Sequence, residues 1–132
     1  MTPDFIEVFE GALDDDACAS IVARMQGSDA LQPGRVGGGV FPELKDSRDL
    51  SLGGRAGWED VDARLHSVVF AGVLKYLRKY PQAIVAPLMM QVADADGSAR
   101  RVTAEEIAEM DDATLGPLAA VALRPGVTNL QS

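Results

Sequence analysis

Residues 58–80 read WEDVDARLHSVVFAGVLKYLRKY, the longest periodic stretch of the chain. Apolar residues recur in it every three or four positions, the spacing that gathers side chains on one face of an α-helix. Acids crowd its start and bases its end, an order that the helix dipole favours, and Pro81 stops it. The stretch predicts a helix of about six turns over Trp58–Tyr80. Its predicted buried face consists of Trp58, Val61, Leu65, Val68, Val69, Val73, Tyr76, Leu77 and Tyr80.

A second amphipathic helix is predicted nearer the N-terminus. Asp14 is a favourable N-cap, and the two aspartates after it fall in the first turn, where the helix dipole favours negative charge. Consecutive carboxylates at a helix start point in different directions, so this run indicates capping rather than a metal cluster. Cys18, Ile21, Val22 and Met25 recur at helical spacing and predict one buried stripe. The single cysteine is therefore expected to be a small buried hydrophobic residue, and its lack of a partner fits a reducing compartment.

Short strands and loops are predicted around these helices. Phe5–Phe9 is expected to be an opening strand, and Ile84–Val92 a buried one. The glycine- and proline-rich stretch Leu31–Gly57 predicts a loop with one short strand at 49–52. Asp94–Ser98 predicts a surface turn rather than a calcium loop. A glutamate several residues further on closes a calcium loop, and here Arg100 and Arg101 intervene instead.

The C-terminal third predicts two short helices and a strand. Thr103–Glu106 has the spacing of a capping box, which opens a helix with Ile107 and Met110 on its inner side. Leu115–Leu123 predicts a second helix, entered through a proline in its first turn. The last residues, 127–132, read as a strand that is just starting. A strand at the end of a domain needs a partner.

The fold class expected from these elements is α+β, with two main amphipathic helices, short helices and a few short strands. The chain has 132 residues, of which 47% are hydrophobic and 24% charged, and this composition is typical of one globular domain over residues 1–132. A chain of this size buries roughly two thirds of its unfolded surface, so a stable fold requires neither disulfides nor a metal.

Composition also restricts the partners. The formal net charge is -8 and no segment forms a broad basic face, which disfavours nucleic acid. No stretch approaches the roughly 20 apolar residues that span a bilayer, and the N-terminus does not have the pattern of a secretory signal. We therefore expect a cytoplasmic protein without a membrane segment.

No set of residues in the sequence is complete enough for catalysis or metal binding. The only histidine, His66, lies on the polar flank of the long predicted helix, where a boundary residue is expected. A facial-triad iron site needs two imidazoles and a carboxylate, and a hydrolytic zinc site needs about three protein ligands. The run Gly37–Gly39 invites a phosphate-loop interpretation, but the following Lys-Ser/Thr is absent and a tight or flexible loop is favoured. We predict no catalytic, cofactor-binding or metal-binding residue.

Several segments together resemble one enzyme family. They are residues 4–9 with the capped helix after them, Pro33–Gly39, Glu43–Leu50, the long helix from Trp58 to Pro81, and the closing residues 129–132. This pattern resembles the N-terminal portion of bacterial iron(II)/2-oxoglutarate-dependent oxygenases of the prolyl-4-hydroxylase-like kind. The resemblance implies that the opening strand and the two helices buttress a double-stranded β-helix. It also implies Fe(II) and 2-oxoglutarate as cofactors of a full-length relative.

The sequence departs from that family at the decisive positions. Members bind iron through a His-x-Asp/Glu pair and a distant second histidine, whereas His66 is followed by Ser67 and Val68 and has no second histidine to join it. No catalytic residue carries over. Two hypotheses follow: a scaffold portion of a 2-oxoglutarate dioxygenase that is not catalytic as it stands, or a free-standing acidic protein-interaction module. An unpaired C-terminal strand would favour self-association or a protein partner.

Overall fold

The computed structural model describes residues 4–82, 85, 90–123 and, for their backbone, 129–131. The main helices are α1 (Asp15–Gln26), α2 (Glu59–Lys79), α3 (Ala104–Glu109) and α4 (Asp112–Leu123). The strands are β1 (Gln32–Pro33), β2 (Arg48–Ser51), β3 (Gln91–Ala93), β4 (Ala99–Arg101) and β5 (Asn129–Gln131). The fold is α+β, as predicted, with small antiparallel sheets.

The chain divides into two compact units. The first unit consists of Met1–Phe9 and Val69–Pro125, and the second of Glu10–Val68 and Gly126–Ser132. The boundary between them falls within α2, so each half of this helix contributes to a different hydrophobic cluster.

The second unit is built on a three-stranded antiparallel sheet in the order β1-β2-β5. Gln32 of β1 pairs with Asp49, and on the other edge of β2 Leu50 pairs with Leu130. Leu50 is fully buried, because alternate residues of a strand point to opposite faces and this one points to the core. The buried cluster of this unit contains Met25, Leu50, Leu52, Trp58, Val61 and Leu65.

The first unit combines the hairpin β3-β4 with α3, α4 and the second half of α2. The turn of the hairpin lies at Asp94–Ser98, as predicted, and the Asp94 N–H donates to Ser98 O at 2.8 Å. Arg78 of α2 donates to Met110 O at 2.8 Å and also bonds Asp112, and so ties the helix to the α3–α4 junction. The buried cluster contains Leu74, Leu77, Met90, Val102, Ile107, Leu115 and Ala119.

The helix predictions are confirmed where capping signals are strong. The long helix is found almost at its predicted bounds. Asp14 caps α1 by accepting from the Ala17 N–H at 2.7 Å, and Thr103 and Glu106 form the reciprocal capping box of α3. In contrast, α4 begins at Asp112 rather than Leu115, because Asp111 accepts the Thr114 N–H and caps the helix three residues earlier.

The predicted opening strand is wrong as secondary structure. Residues 4–9 pair with no strand among the described residues. Phe5, Glu7 and Phe9 instead contact α2: the Phe5 ring lies 5.3 Å from the Tyr80 ring, Glu7 bonds the Tyr80 hydroxyl, and Phe9 packs beside Gly72. Five residues of this segment thus run beside two turns of helix. The segment is therefore extended, since a strand rises about twice as far per residue as a helix.

The predicted buried stripe of α1 is confirmed in part. Met25 is buried and Ile21 is half-buried, as predicted, whereas Cys18 and Val22 are exposed. Ala17, the third residue of the helix, takes an inward position instead. Cys18 is accordingly an exposed thiol rather than a core residue.

The strand predicted over Ile84–Val92 is only partly described. Residues 83, 84 and 86–89 lie outside the described residues. Of the described ones, Gln82 and Val85 are helical, Val85 donates to Pro81 O, and Gln91–Ala93 forms a strand. Strand β4 was not predicted, because its two arginines hide the strand pattern.

Truncation of the buried face of α2 should destabilise the second unit. Leu65→Ala removes a side chain that is 8% exposed and should lower the free energy of unfolding by about 2–4 kcal/mol. His66→Ala, at the neighbouring half-exposed position, is the matched control and should change it far less. Urea unfolding followed by circular dichroism measures both, and a larger loss for His66→Ala would contradict this assignment of the buried face.

The capping box should make stability depend on acid pH. Hydrogen bonds from Arg100 and from the Thr103 N–H lower the pKa of Glu106 from 4.5 to about 2. Its contribution is complete above the unfolded pKa and is lost as pH falls from about 4.5 towards 2. The thermal midpoint of Glu106→Gln should lie below that of the parent at pH 7, and the gap should close near pH 2. Glu109→Gln, in the same helix, is the control, and a pH-independent gap would refute the linkage.

Candidate functional site

The three-stranded sheet brings together two segments that are far apart in the sequence. Strand β2 belongs to the Glu43–Leu50 segment and β5 to the closing residues 129–132, and the two strands pair over three residues. Both segments were singled out in the sequence for their resemblance to one family. This sheet, with the loop from residue 34 to residue 47, is the candidate functional site.

A polar cluster lies beside β2. Lys45 Nζ lies 3.8 Å from Asp49 Oδ2, and the Ser47 hydroxyl donates to Asp49 Oδ1 at 3.2 Å. The side chains of Lys45 and Asp49 are each 28% exposed, so this pair is partly shielded from water. Asp49 thus accepts a hydrogen bond from Ser47 and forms an ion pair with Lys45, and this geometry supports the loop rather than presenting a general acid or base.

The triglycine run forms a tight turn. The Val36 N–H donates to Gly39 O at 2.9 Å, the Gly39 N–H donates back to Val36 O, and Gly37 has a φ of 58° that favours glycine. Arg35 donates to Gly38 O at 2.8 Å and closes the turn further. Of the two predicted forms of this loop, tight or flexible, the structure has the tight one. The Gly39 amide is used inside the turn, so this run lacks the row of free amides that a phosphate loop presents.

Gly34 lies where the backbone after β1 comes close to Ser47, just before β2. Its N–H donates to Ser47 O at 2.8 Å, and a Cβ at this position would come within 2.1 Å of Ser47 Oγ. The sequence did not distinguish this glycine from its neighbours, because the requirement comes from a strand that is distant in the chain. Gly34 therefore allows β1 to lie against the Ser47 end of β2.

Charged residues clamp α1 to the start of α2. Arg24 donates to Asp60 at 2.8 Å and lies 4.6 Å from the centre of the Trp58 ring, while Arg64 donates to Asp14 at 2.9 Å. The bond from Arg24 lowers the pKa of Asp60, and the Ala17 N–H lowers the pKa of Asp14. A shallow pocket of about 90 Å³ lies between these side chains. Because both arginines are paired with carboxylates, the arrangement is that of a structural clamp.

His66 lies beside one other potential ligand, Asp62 of the same helix. Its Nδ1 is 3.1 Å from Asp62 O and 3.4 Å from the buried Asp62 Oδ1, and its side chain is 44% exposed. In the described part of the chain, no three of the residue types His, Cys, Asp and Glu cluster as a metal site requires. With one imidazole in the whole sequence, the residues do not fit a facial-triad iron centre.

Comparisons with known proteins give no family: no family model, no curated protein and no solved structure matches the chain. Of the helices in the described residues, none combines the length and the apolar character needed to cross a bilayer.

Substitution of Gly34 should disrupt the site where substitution of Gly38 does not. Gly34→Ala forces a methyl group against Ser47 and should destabilise by about 1–3 kcal/mol, as overpacking does. Gly38→Ala is the matched control, because a Cβ there meets nothing within 4 Å. Chemical denaturation measures the difference, and equal midpoints for the two variants would show that the Gly34–Ser47 contact is not formed in solution.

Proposed function

We propose that this chain is the N-terminal scaffold portion of a 2-oxoglutarate/Fe(II)-dependent dioxygenase and that it is not catalytic as it stands. The observation that carries the proposal is the pairing of β2 with β5. One of the segments that resemble the oxygenase family more specifically, Lys45–Leu50, thereby contributes the strand that pairs with the closing segment 129–131.

The sheet has the properties that a scaffold needs. Leu50 is fully buried beside Leu52, so β2 is held by the core on one face and by strands on both edges. Strand β5 lies in register with β2 at the edge of the sheet, as far as the described residues go, and under this proposal its outer edge would take up further strands. A catalytic barrel requires such a rigid support, because ligand positions must be held within about half an ångström.

The chemistry must come from residues other than those of this chain. His66 and Asp62 belong to one helix, and their contact is the ordinary i, i+4 spacing of a helical surface. An iron site requires two imidazoles and a carboxylate with open coordination positions. Iron and 2-oxoglutarate are thus assigned to a full-length relative, and neither a catalytic nor a metal-binding residue is assigned here.

A second candidate is a free-standing acidic interaction module in the cytoplasm that binds neither nucleic acid nor membrane. One observation favours it. Among the described residues, α2 presents no large exposed hydrophobic side chain, whereas a helix that supports a larger fold would leave an apolar patch bare. The net charge of -8 would keep it soluble and repel polyanions.

Genomic DNA beyond the codon of Ser132 separates these proposals. The scaffold proposal expects a His-x-Asp or His-x-Glu pair within a few tens of residues and a later histidine in one of the three forward frames. With Fe(II), O2 and ascorbate as the reductant, the extended chain should then convert 2-oxoglutarate to succinate and CO2, whereas the chain of 132 residues should not. Alanine in place of the first histidine of the pair is the control and should abolish turnover without loss of helical signal.

Two outcomes would contradict the scaffold proposal. One is a stop codon followed by unrelated sequence in every frame, which would favour the interaction module. The other is stoichiometric, micromolar Fe(II) binding by the chain of 132 residues in calorimetry, because this chain holds a single imidazole.

A further inference from the structure

Residues 5–9 form a strap along the second half of α2 and face this helix with alternate side chains. Phe5, Glu7 and Phe9 contact the helix, whereas the two residues between them are largely exposed. Such alternation is that of an extended chain, in which every second side chain points the same way. The strap therefore presents to α2 the pattern aromatic-x-acid-x-aromatic.

An acid-binding position lies at the centre of the groove that the strap covers. The Tyr80 hydroxyl donates to Glu7 Oε1 at 2.7 Å, and Lys79 Nζ donates to the same oxygen. The side chain of Glu7 is only 20% exposed, although it carries a charge. The bond from Lys79 lowers the pKa of Glu7, so the carboxylate is ionised at neutral pH. This position therefore selects a carboxylate.

Aromatic positions lie on both sides of the acid-binding position. On one side the Phe5 ring lies 5.3 Å from the Tyr80 ring, and the Tyr76 hydroxyl donates to Phe5 O at 2.8 Å. On the other side the Phe9 ring packs beside Gly72, where a Cβ would come within 3.3 Å of this ring. The lack of a side chain at Gly72 thus leaves room for an aromatic ring.

The strap itself fills this groove imperfectly. In the described part of the chain, no backbone hydrogen bond joins it to another backbone group. Phe5 has a φ of 57°, the left-handed region that is unfavourable for a bulky residue, and its side chain remains 50% exposed. A segment with few backbone bonds and a strained residue opens at a low cost in free energy.

We propose that this groove is a peptide-binding site and that the strap occupies it as an autoinhibitory segment. The partner is an extended acidic peptide with an aromatic residue two positions before and two positions after a glutamate. Charge complementarity favours an acidic partner here, because Lys79 lies in the groove of a chain whose net charge is -8. The inference goes beyond the scaffold function and uses no residue of the three-stranded sheet.

Competition between strap and peptide sets the expected affinities. A short peptide with three side-chain anchors should bind the open groove with a dissociation constant on the order of 0.1 mM. The tethered strap acts at an effective concentration of about 1 mM, so it should weaken peptide binding to the parent chain by about tenfold.

Release of the strap in the full chain tests this competition. Phe5→Ser with Phe9→Ser removes both rings from the strap and leaves every groove residue and the net charge unchanged. The probe is a peptide of residues 4–10, Asp-Phe-Ile-Glu-Val-Phe-Glu, with fluorescein at its C-terminus. Fluorescence anisotropy should give a dissociation constant about tenfold lower for the released chain than for the parent. Circular dichroism verifies that both chains are folded.

A charge exchange tests the acid-binding position. Lys79→Glu in the released chain should weaken binding of the probe by about tenfold or more, because it brings two carboxylates together. A second peptide, with lysine in place of the glutamate at position 7, should bind this variant better than it binds the released chain. General attraction between a basic peptide and an acidic chain does not depend on position, so Glu109→Lys, made far from the groove in sequence, should leave the preference for the original probe unchanged.

Equal affinity of the parent and the released chain would overturn the inference, since the probe would then bind elsewhere. The absence of binding to a folded released chain, or of the reversed preference in the charge exchange, would also overturn it. If the released chain does not fold, the parent decides the question. Millimolar unlabelled peptide should displace its strap and shift the Val8 amide signal in a nitrogen-15 correlation spectrum, and an unchanged signal would reject the site. None of these results bears on the DNA test of the scaffold proposal.

Discussion

The antiparallel pairing of β2 with β5 is the constraint on which the second unit depends. It joins residues 49–51 to residues 129–131 and so closes a long stretch of chain. The entropy lost on closing a loop grows only slowly with its length, so this long-range contact costs little more than a shorter one. What stabilises it is the burial of Leu50 and Leu52, which are 0% and 1% exposed, directly beside the paired residues. Without that burial, three residues of backbone pairing would be marginal.

Three acidic side chains accept hydrogen bonds at the starts of helices. Asp14, Asp111 and Glu106 each accept a backbone N–H at the start of a helix, and hydrogen bonding lowers the pKa of all three. A carboxylate so engaged is ionised at neutral pH and occupied by its donors, which makes it a poor base. These three carboxylates thus serve helix formation.

Sequence reasoning succeeded where the determinant is local and failed where it is tertiary. The Asp14 cap, the capping box at Thr103 and the charge order of α2 each need only a few neighbouring residues, and all three appear in the structure. The inward face of α1 depends on which residue meets the core, so Cys18 was placed inside although Ala17 is buried instead. The opening strand was predicted wrongly for a similar reason, because a strand needs a partner strand and residues 5–9 lie against a helix.

The candidate site shows the same division between local and tertiary determinants. The triglycine turn was predictable, because glycine runs favour φ values closed to other residues, whereas the role of Gly34 depends on Ser47 lying across from it. The β2–β5 contact was beyond the reach of periodicity, because neither strand is long enough to show a strong alternating pattern.

The register of β5 has one physical determinant. Leu50 is fully buried and pairs with Leu130, so a slip of one residue would put an amide opposite a buried leucine. The register of β5 is therefore set by its pairing with β2. Under the scaffold proposal, any strand added beyond β5 would inherit that register, and the support would fix the position of the added strand as well as its direction.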